Sequence, residues 1–243
     1  MKLIIFDCDG TIVDSQHAIA EAMSIAFQDH GLVSPKREKV IGVVGLSLVE
    51  AVLGLLPEDA DEETAIAIAE SYKRAFADLR QQPDHDEPLF VGAAEALGEL
   101  AARDDVVLGI ATGKSRRGVD ALFEREDLAH LFVTIQTADD HPSKPHPSMI
   151  HQAMRECSIG PDRTVMIGDT TYDIEMACAA EVAGLGVAWG YHPHELLVEA
   201  GADAIVSDYA LLPETVELLL QTKGCLLYTS PSPRDPLRYL VCR

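Results

Sequence analysis

Apolar positions change their spacing twice along this chain. The opening run Leu3-Ile4-Ile5-Phe6 is short and unbroken, which predicts a buried strand. From residue 15 to about residue 82 the spacing turns helical. Ala18, Ile19, Ala22, Met23, Ala26 and Phe27 form one i, i+3, i+4 stripe. Gly31 stops that helix, and Pro35 can start another. Ser47 is a good N-cap for a helix over 48–56, and a longer amphipathic helix follows over about 61–79. The Pro- and Asp-rich stretch 82–88 reads as a linker.

After the linker, strands and helices alternate. Helices are expected at 92–103, 115–125, 146–156 and 172–182, and strands at 106–111, 132–136, 164–167 and 185–188. A last helix is expected over about 211–220. Alternation of this kind predicts an α/β fold, a Rossmann-like parallel sheet with helices on both faces. The first strand precedes the helical block and all others follow it. The simplest organisation is a core of residues 1–14 and 89–222, with 15–88 inserted as an α-helical cap over the sheet.

The pattern breaks again near Gly224. The segment 225–235 has neither helical nor strand period, and it resembles one reading frame of a common sequencing adapter. Residues 224–243 are therefore expected to be a non-native tail, the alternative being a Pro-rich disordered end.

Composition narrows the function classes. The chain has 243 residues, 47% of them apolar, and a net charge of −21. That charge argues against nucleic acid and against an anionic membrane surface. No apolar run approaches the ~18 residues of a membrane span, and the start runs directly into a strand without signal-peptide character. The five cysteines lack zinc-like or redox CxxC spacing, which suggests a reduced, cytoplasmic setting. Either a monomer or a dimer is compatible with these features.

Candidate chemistry sits where strands end. Asp7 and Asp9 follow the first strand, two residues apart and so on one face of extended chain. Gly10 allows a sharp turn, and Thr11 can donate a hydroxyl. Thr112-Gly113-Lys114-Ser115 follows the second strand, Lys144-Pro145 follows the third across a loop, and Asp169 and Asp173 follow the fourth. Parallel neighbours would bring these four clusters to one sheet edge. Acidic side chains around a point suit Mg²⁺, a hard cation that takes oxygen ligands. A threonine and a lysine suit phosphoryl oxygens, and phosphoryl transfer needs a nucleophile, a metal and local positive charge. The plainer reading of the first motif is a strand running into an acidic turn.

On these motifs the chain resembles the haloacid dehalogenase superfamily, and within it the phosphoglycolate-phosphatase-like members with a helical cap between the first two motifs. The resemblance covers residues 1 to about 222. It implies an Mg²⁺-dependent phosphatase of a small phosphate monoester, phosphoglycolate leading. Asp7 would be the nucleophile that forms an aspartyl-phosphate, and Asp9 the acid and then the base. Thr112, Gly113 and Lys144 would hold the phosphoryl group. Asp7, the Asp9 backbone carbonyl and Asp169 would bind the metal, with Asp173 as ligand or support. An aspartate at position 9 points to phosphoester chemistry, because the superfamily's dehalogenases lack it. Alternatives are a sugar phosphomutase, a nucleotidase or pyrophosphatase, and a non-catalytic sensor of phosphorylated ligands. Gly45, Leu46 and Ser47 in the helical block, and Lys114 in the core, are candidates for reading the substrate.

Other signals carry less. Cys157 to Thr164 matches the C-x5-R-T spacing of cysteine phosphatases, but a helix precedes it and a strand follows, the reverse of what that chemistry needs. Cys8 reads as a packed strand-end residue. Gly109 to Ser115 is one residue short of a P-loop. Lys114, Arg116 and Arg117 could contact substrate or merely start a helix, and His192 and His194 read as an exposed loop pair.

Overall fold

In the computed structural model, residues 1–82 and 87–226 are described, with side chains as far as 221. The expected linker lies largely outside the described residues, as does the expected tail beyond residue 226. Strand β1 (Lys2–Phe6) is followed by helices α1 (Gln16–Asp29), α2 (Arg37–Ile41), α3 (Leu48–Leu55) and α4 (Glu62–Leu79). The chain then alternates through α5 (Ala93–Ala101), β2 (Val106–Thr112), α6 (Arg116–Glu126), β3 (Phe132–Thr137), α7 (Ser148–Cys157), β4 (Thr164–Gly168), α8 (Thr171–Ala179) and β5 (Ala183–Val187). It closes with α9 (His194–Glu199), β6 (Ala204–Val206) and α10 (Leu212–Leu226).

The strands form one sheet in the order β3-β2-β1-β4-β5-β6, every pair parallel. Ile4, Phe6, Ile110 and Ile167 pack on one face of this sheet with α5, α6 and α10, while Leu3, Ile5, Ala111 and Met166 pack on the other with α7 and α8. Strands buried on both faces read as continuous apolar runs, which is the pattern seen at the start of the chain. Strand β1 pairs with β2 on one side and β4 on the other. Successive strands step outward from β1 in one direction through β3 and then cross back, so the ends of β1 and β4 lie at a topological switch point.

Helices α1 to α4 have an apolar cluster of their own, built on Ala22, Met23, Val40, Val52, Ile68 and Phe76. The chain leaves the sheet for this block and returns from it side by side. Val13 and Leu89 make an antiparallel bridge, Asp14 N donates to Pro88 O at 2.8 Å, and Phe90 N donates to Ile12 O at 3.0 Å.

Some boundaries depart from those read from the pattern. Helix α8 ends at Ala179 and β5 begins at Ala183, with Gly184 packed against Ala177 and Ile174 of the helix. Helix α9 and strand β6 are six and three residues long, too short to show a period. His194 is the first residue of α9 rather than part of a loop. Helix α10 runs through Leu226, past the expected break at 224. No described helix is long and apolar enough to cross a membrane.

Candidate functional site

The turn after β1 is built to deliver two carboxylates in different directions. Ile12 N and Val13 N both donate to Cys8 O, and Gly10 N returns to Val13 O at 2.9 Å. Gly10 sits at φ +83°, and a Cβ there would lie 2.1 Å from Asp169 Oδ2, so both backbone and space demand glycine. The Thr11 carbonyl accepts from Trp189 Nε1 at 3.0 Å and Tyr209 Oη at 2.6 Å, which pins the turn from below.

Asp7, 1% exposed, points to Asp169 and Asp173, and one oxygen of each lies within 4.8 Å of the others. Asp169 Oδ1 accepts from Thr11 Oγ1 at 3.0 Å and Oδ2 from Tyr191 N at 2.8 Å. Asp173 is held by α8, with Oδ2 taking the amide and hydroxyl of Thr170 at 3.1 and 2.7 Å. Its Oδ1 accepts from Lys144 Nζ at 2.6 Å. Asp7 Oδ1 accepts from Cys8 N at 2.7 Å. Its Oδ2 lies 3.0 Å from Lys144 Nζ, an ion-pair separation, yet takes no directed hydrogen bond.

One buried ammonium therefore serves two of the three buried carboxylates, Asp7 and Asp173. Burial pushes the Asp7 carboxyl up to about 6, with Asp173 adding to the rise and Lys144 and the Thr112 hydroxyl opposing it. Asp169 is pushed well up by burial and by the charges of Asp173 and Asp7. Burial works against the Lys144 ammonium, but Asp173 and Asp7 outweigh it and the net direction is up. An oxygen-only set with surplus negative charge and one buried, unbonded carboxylate oxygen fits a divalent cation.

Asp9 lies apart from this cluster. Its Oδ1 accepts from Ser15 Oγ at 2.5 Å and Lys114 Nζ at 2.6 Å. The Lys114 side chain is 8% exposed, runs over Gly118, and ends 3.9 Å from Glu87 and 5.5 Å from the centre of the Phe76 ring. Buried Glu87 also meets Arg80 and Arg125. Lys114 thus stands against Asp9, whereas the motif alone placed it only near a helix start. Ser15, Glu87 and Tyr191 had no signal in the sequence, because their roles arise only when the returning chain and the loop after β5 close on the turn.

Thr112 ends β2, and its Oγ1 accepts from Lys114 N at 3.2 Å. Gly113 faces the helical block so closely that a Cβ would lie 2.4 Å from Leu46 O and 2.7 Å from Gly45 O. Gly45, at φ +101°, leans on Thr170. Ser47 N donates to Ser143 Oγ at 2.8 Å, and Tyr172 Oη donates to Gly42 O at 3.1 Å. The loop carrying Gly45, Leu46 and Ser47 is thereby seated on the sheet edge. Between block and sheet lies a cavity of about 580 Å³, with Asp7, Asp9 and Thr112 along its lining.

The weaker signals land elsewhere. Cys157 is the last residue of helix α7 and β4 follows Arg163, the order that cysteine-phosphatase chemistry does not use. Cys8 is buried, and burial pushes its thiol up. Arg116 pairs with Asp120 at the surface, and Arg117 is exposed beside the cavity. His192 Nδ1 accepts from Thr171 N at 3.1 Å and its ring meets Tyr172 edge-on.

Known proteins are similar to this chain over about nine-tenths of its length. A probable phosphatase, IndB, from Dickeya dadantii is 33% identical over 223 residues, spanning 90% of this chain and 95% of its own. A phosphoglycolate phosphatase from Photobacterium profundum is 27% identical, with 90% and 96% covered. The crystal structure of a predicted phosphatase from Clostridium acetobutylicum superposes with a TM-score of 0.78 at 25% identity, covering 90% of this chain and 98% of that one. The sequence profile of the haloacid dehalogenase-like hydrolases matches residues 4–187, a span that runs from the first strand past both carboxylate motifs. By its fold and by that match, the chain belongs to the haloacid dehalogenase-like hydrolases.

Proposed function

We propose that this protein is an Mg²⁺-dependent phosphatase that hydrolyses a phosphate monoester through an aspartyl-phosphate on Asp7. One observation carries the reading: a buried carboxylate with an unbonded oxygen stands between a buried lysine and two further carboxylates. Asp7, Asp169 and the Asp9 backbone carbonyl would hold Mg²⁺. Asp173, both of whose oxygens already accept hydrogen bonds, supports Lys144 and the start of α8. When bound, the cation offsets the charge on the carboxylates and the phosphoryl oxygens, so that anion can approach anion.

Thr112, Gly113 and Lys144 bind the phosphoryl group at the sheet edge. The Asp7 carboxylate attacks phosphorus, the bond to the ester oxygen breaks, and Asp9 as the acid gives its proton to the departing alkoxide. Water then attacks the phosphorus of the aspartyl-phosphate while Asp9, now a carboxylate, takes a proton from it. Inorganic phosphate leaves and Asp7 is restored. Lys114 and Ser15 hold Asp9 in place for both transfers. Residues 15–88 act as a cap whose loop at Gly45 to Ser47 closes over the reacting group and limits water.

Phosphate release from an aryl phosphate with Mg²⁺, with and without chelator, tests this directly. Chelation should abolish release, and Asp7→Asn should lower kcat by roughly 10⁴–10⁶-fold. Near-normal turnover in Asp7→Asn would overturn the assignment. Isomerisation of a sugar phosphate with little free phosphate would identify a mutase instead.

A further inference from the structure

The cavity above Asp7 is larger and less polar than a two-carbon acid requires. Its volume of about 580 Å³ is in the range that holds a drug-sized ligand. Its upper wall is Met23 of α1, Val43 and Val44 after α2, Leu48 of α3, and Tyr72 and Phe76 of α4. The two rings of α4 lie 5.6 Å apart, tilted by 36°, and the Phe76 ring has the Arg80 guanidinium 4.8 Å and the Lys114 ammonium 5.5 Å from its centre. The floor is the sheet edge with Asp7, Asp9 and Thr112.

Most cations at this cavity are already matched. Lys114 meets Asp9 at 2.6 Å, Arg80 meets Glu87 at 2.9 Å, and at the floor Lys144 meets Asp173 and Asp7. Lys73 and Arg117, which also line the cavity, are exposed, and Lys73 pairs with Glu70. A substrate with a second anionic group near the phosphate would therefore find, among the described residues and besides Arg117 at the exposed rim, no lining cation without a carboxylate partner. Its carboxylate would sit against apolar side chains at a desolvation cost. A bulky uncharged group would instead displace water from apolar wall, which is favourable.

We infer that the substrate is a phosphate monoester whose leaving alcohol is large, uncharged and carries a flat apolar ring seated under Tyr72 and Phe76. The inference rests on the phosphatase reading and sharpens it. It moves the preferred substrate away from phosphoglycolate, towards a ring-bearing ester. The helical block supplies the selectivity through its apolar faces rather than through charge.

The test compares alkyl esters, so that the basicity of the leaving group does not decide the outcome. Phosphate release is measured from (1-naphthyl)methyl phosphate, ethyl phosphate and phosphoglycolate under identical Mg²⁺. The ring-bearing ester should exceed both others in kcat/KM by at least roughly tenfold, the size expected of a filled apolar pocket. In Val43→Trp, which fills the cavity from the wall, the ratio of naphthylmethyl to ethyl phosphate in kcat/KM should fall towards one. A melting curve checks that the variant is folded. If it is not, the wild-type ratios decide alone. Equal kcat/KM for naphthylmethyl and ethyl phosphate, or a preference for phosphoglycolate, overturns the inference and leaves the phosphatase reading standing. No phosphate from any of the three overturns both.

Discussion

Asp7 and Asp9 are two residues apart and meet opposite fates. Asp7 is crowded by carboxylates, while Asp9 is gripped by a hydroxyl and an ammonium. Neutralising each should therefore have opposite effects on stability. In the proposed mechanism Asp9 moves the protons, a role worth roughly 10²–10⁴-fold, so in Asp9→Asn kcat should fall by that factor with KM little changed. The substitution also leaves the nearly buried Lys114 without its closest partner, and the melting temperature should drop. Steady-state kinetics paired with a thermal melt checks both, and an Asp9→Asn variant with full kcat would remove Asp9 from the chemistry. The partners of these two residues differ in how legible they were. The carboxylates themselves stood out because they follow an apolar run and recur after another. Ser15, Tyr191 and Glu87 did not, since a serine, a tyrosine and a glutamate become partners only through chain crossings that no local pattern records.

At the level of elements, Gly113 is where the sheet edge meets the helical block. A methyl group there would lie 2.4 Å from Leu46 O and 2.7 Å from Gly45 O, and both are backbone atoms that cannot swing aside. Gly113→Ala should lift the loop from the edge and loosen the Ser47 to Ser143 hydrogen bond. The expected outcome is a drop in kcat/KM of roughly 10²-fold, the cost of small misplacement at a reacting centre, with faster proteolysis within 42–47. Unchanged kinetics would mean that the loop does not take part in closure. The strands flanking the site were readable because they are buried on both faces and apolar throughout. Strand β5 was misplaced by two residues because Gly184 and Gly186 interrupt its apolar run, each admitting a neighbouring side chain. Strand β6 and helix α9 escaped because three and six residues cannot display a period.

For the whole molecule, the carboxylate cluster should couple folding to pH and, if the proposed site holds Mg²⁺, to cation. Burial raises the Asp7 carboxyl from 3.8 to about 6 in the fold. A group whose folded value is raised contributes stability that is present below about 3.8 and lost as pH rises through about 6. Asp169 shifts in the same direction. The metal-free protein should thus melt lower at pH 8 than at pH 5, and the net charge of −21 pushes the same way through self-repulsion. Added Mg²⁺ should raise the melting temperature more at pH 8 than at pH 5, where the cation must displace protons. For a chain of this size each kcal/mol moves the midpoint by about 2–4 °C. Asp7→Asn should blunt the Mg²⁺ response, which separates site binding from general screening. An Mg²⁺ response equal at both pH values, or intact in Asp7→Asn, would place the cation elsewhere.

The paired crossing at Val13 and Leu89 has a consequence for how such a protein can change over generations. The chain leaves the sheet and comes back through one narrow neck, its two stems about 5 Å apart as neighbouring strands are. Whatever is spliced between those stems inherits a finished reaction centre beneath it. The helices above can be lengthened, shortened or traded for others, so long as the contacts at Ser15 and at the 45–47 loop are kept. Invention in this lineage is then cheapest at the reading head, and the sheet edge is the heirloom.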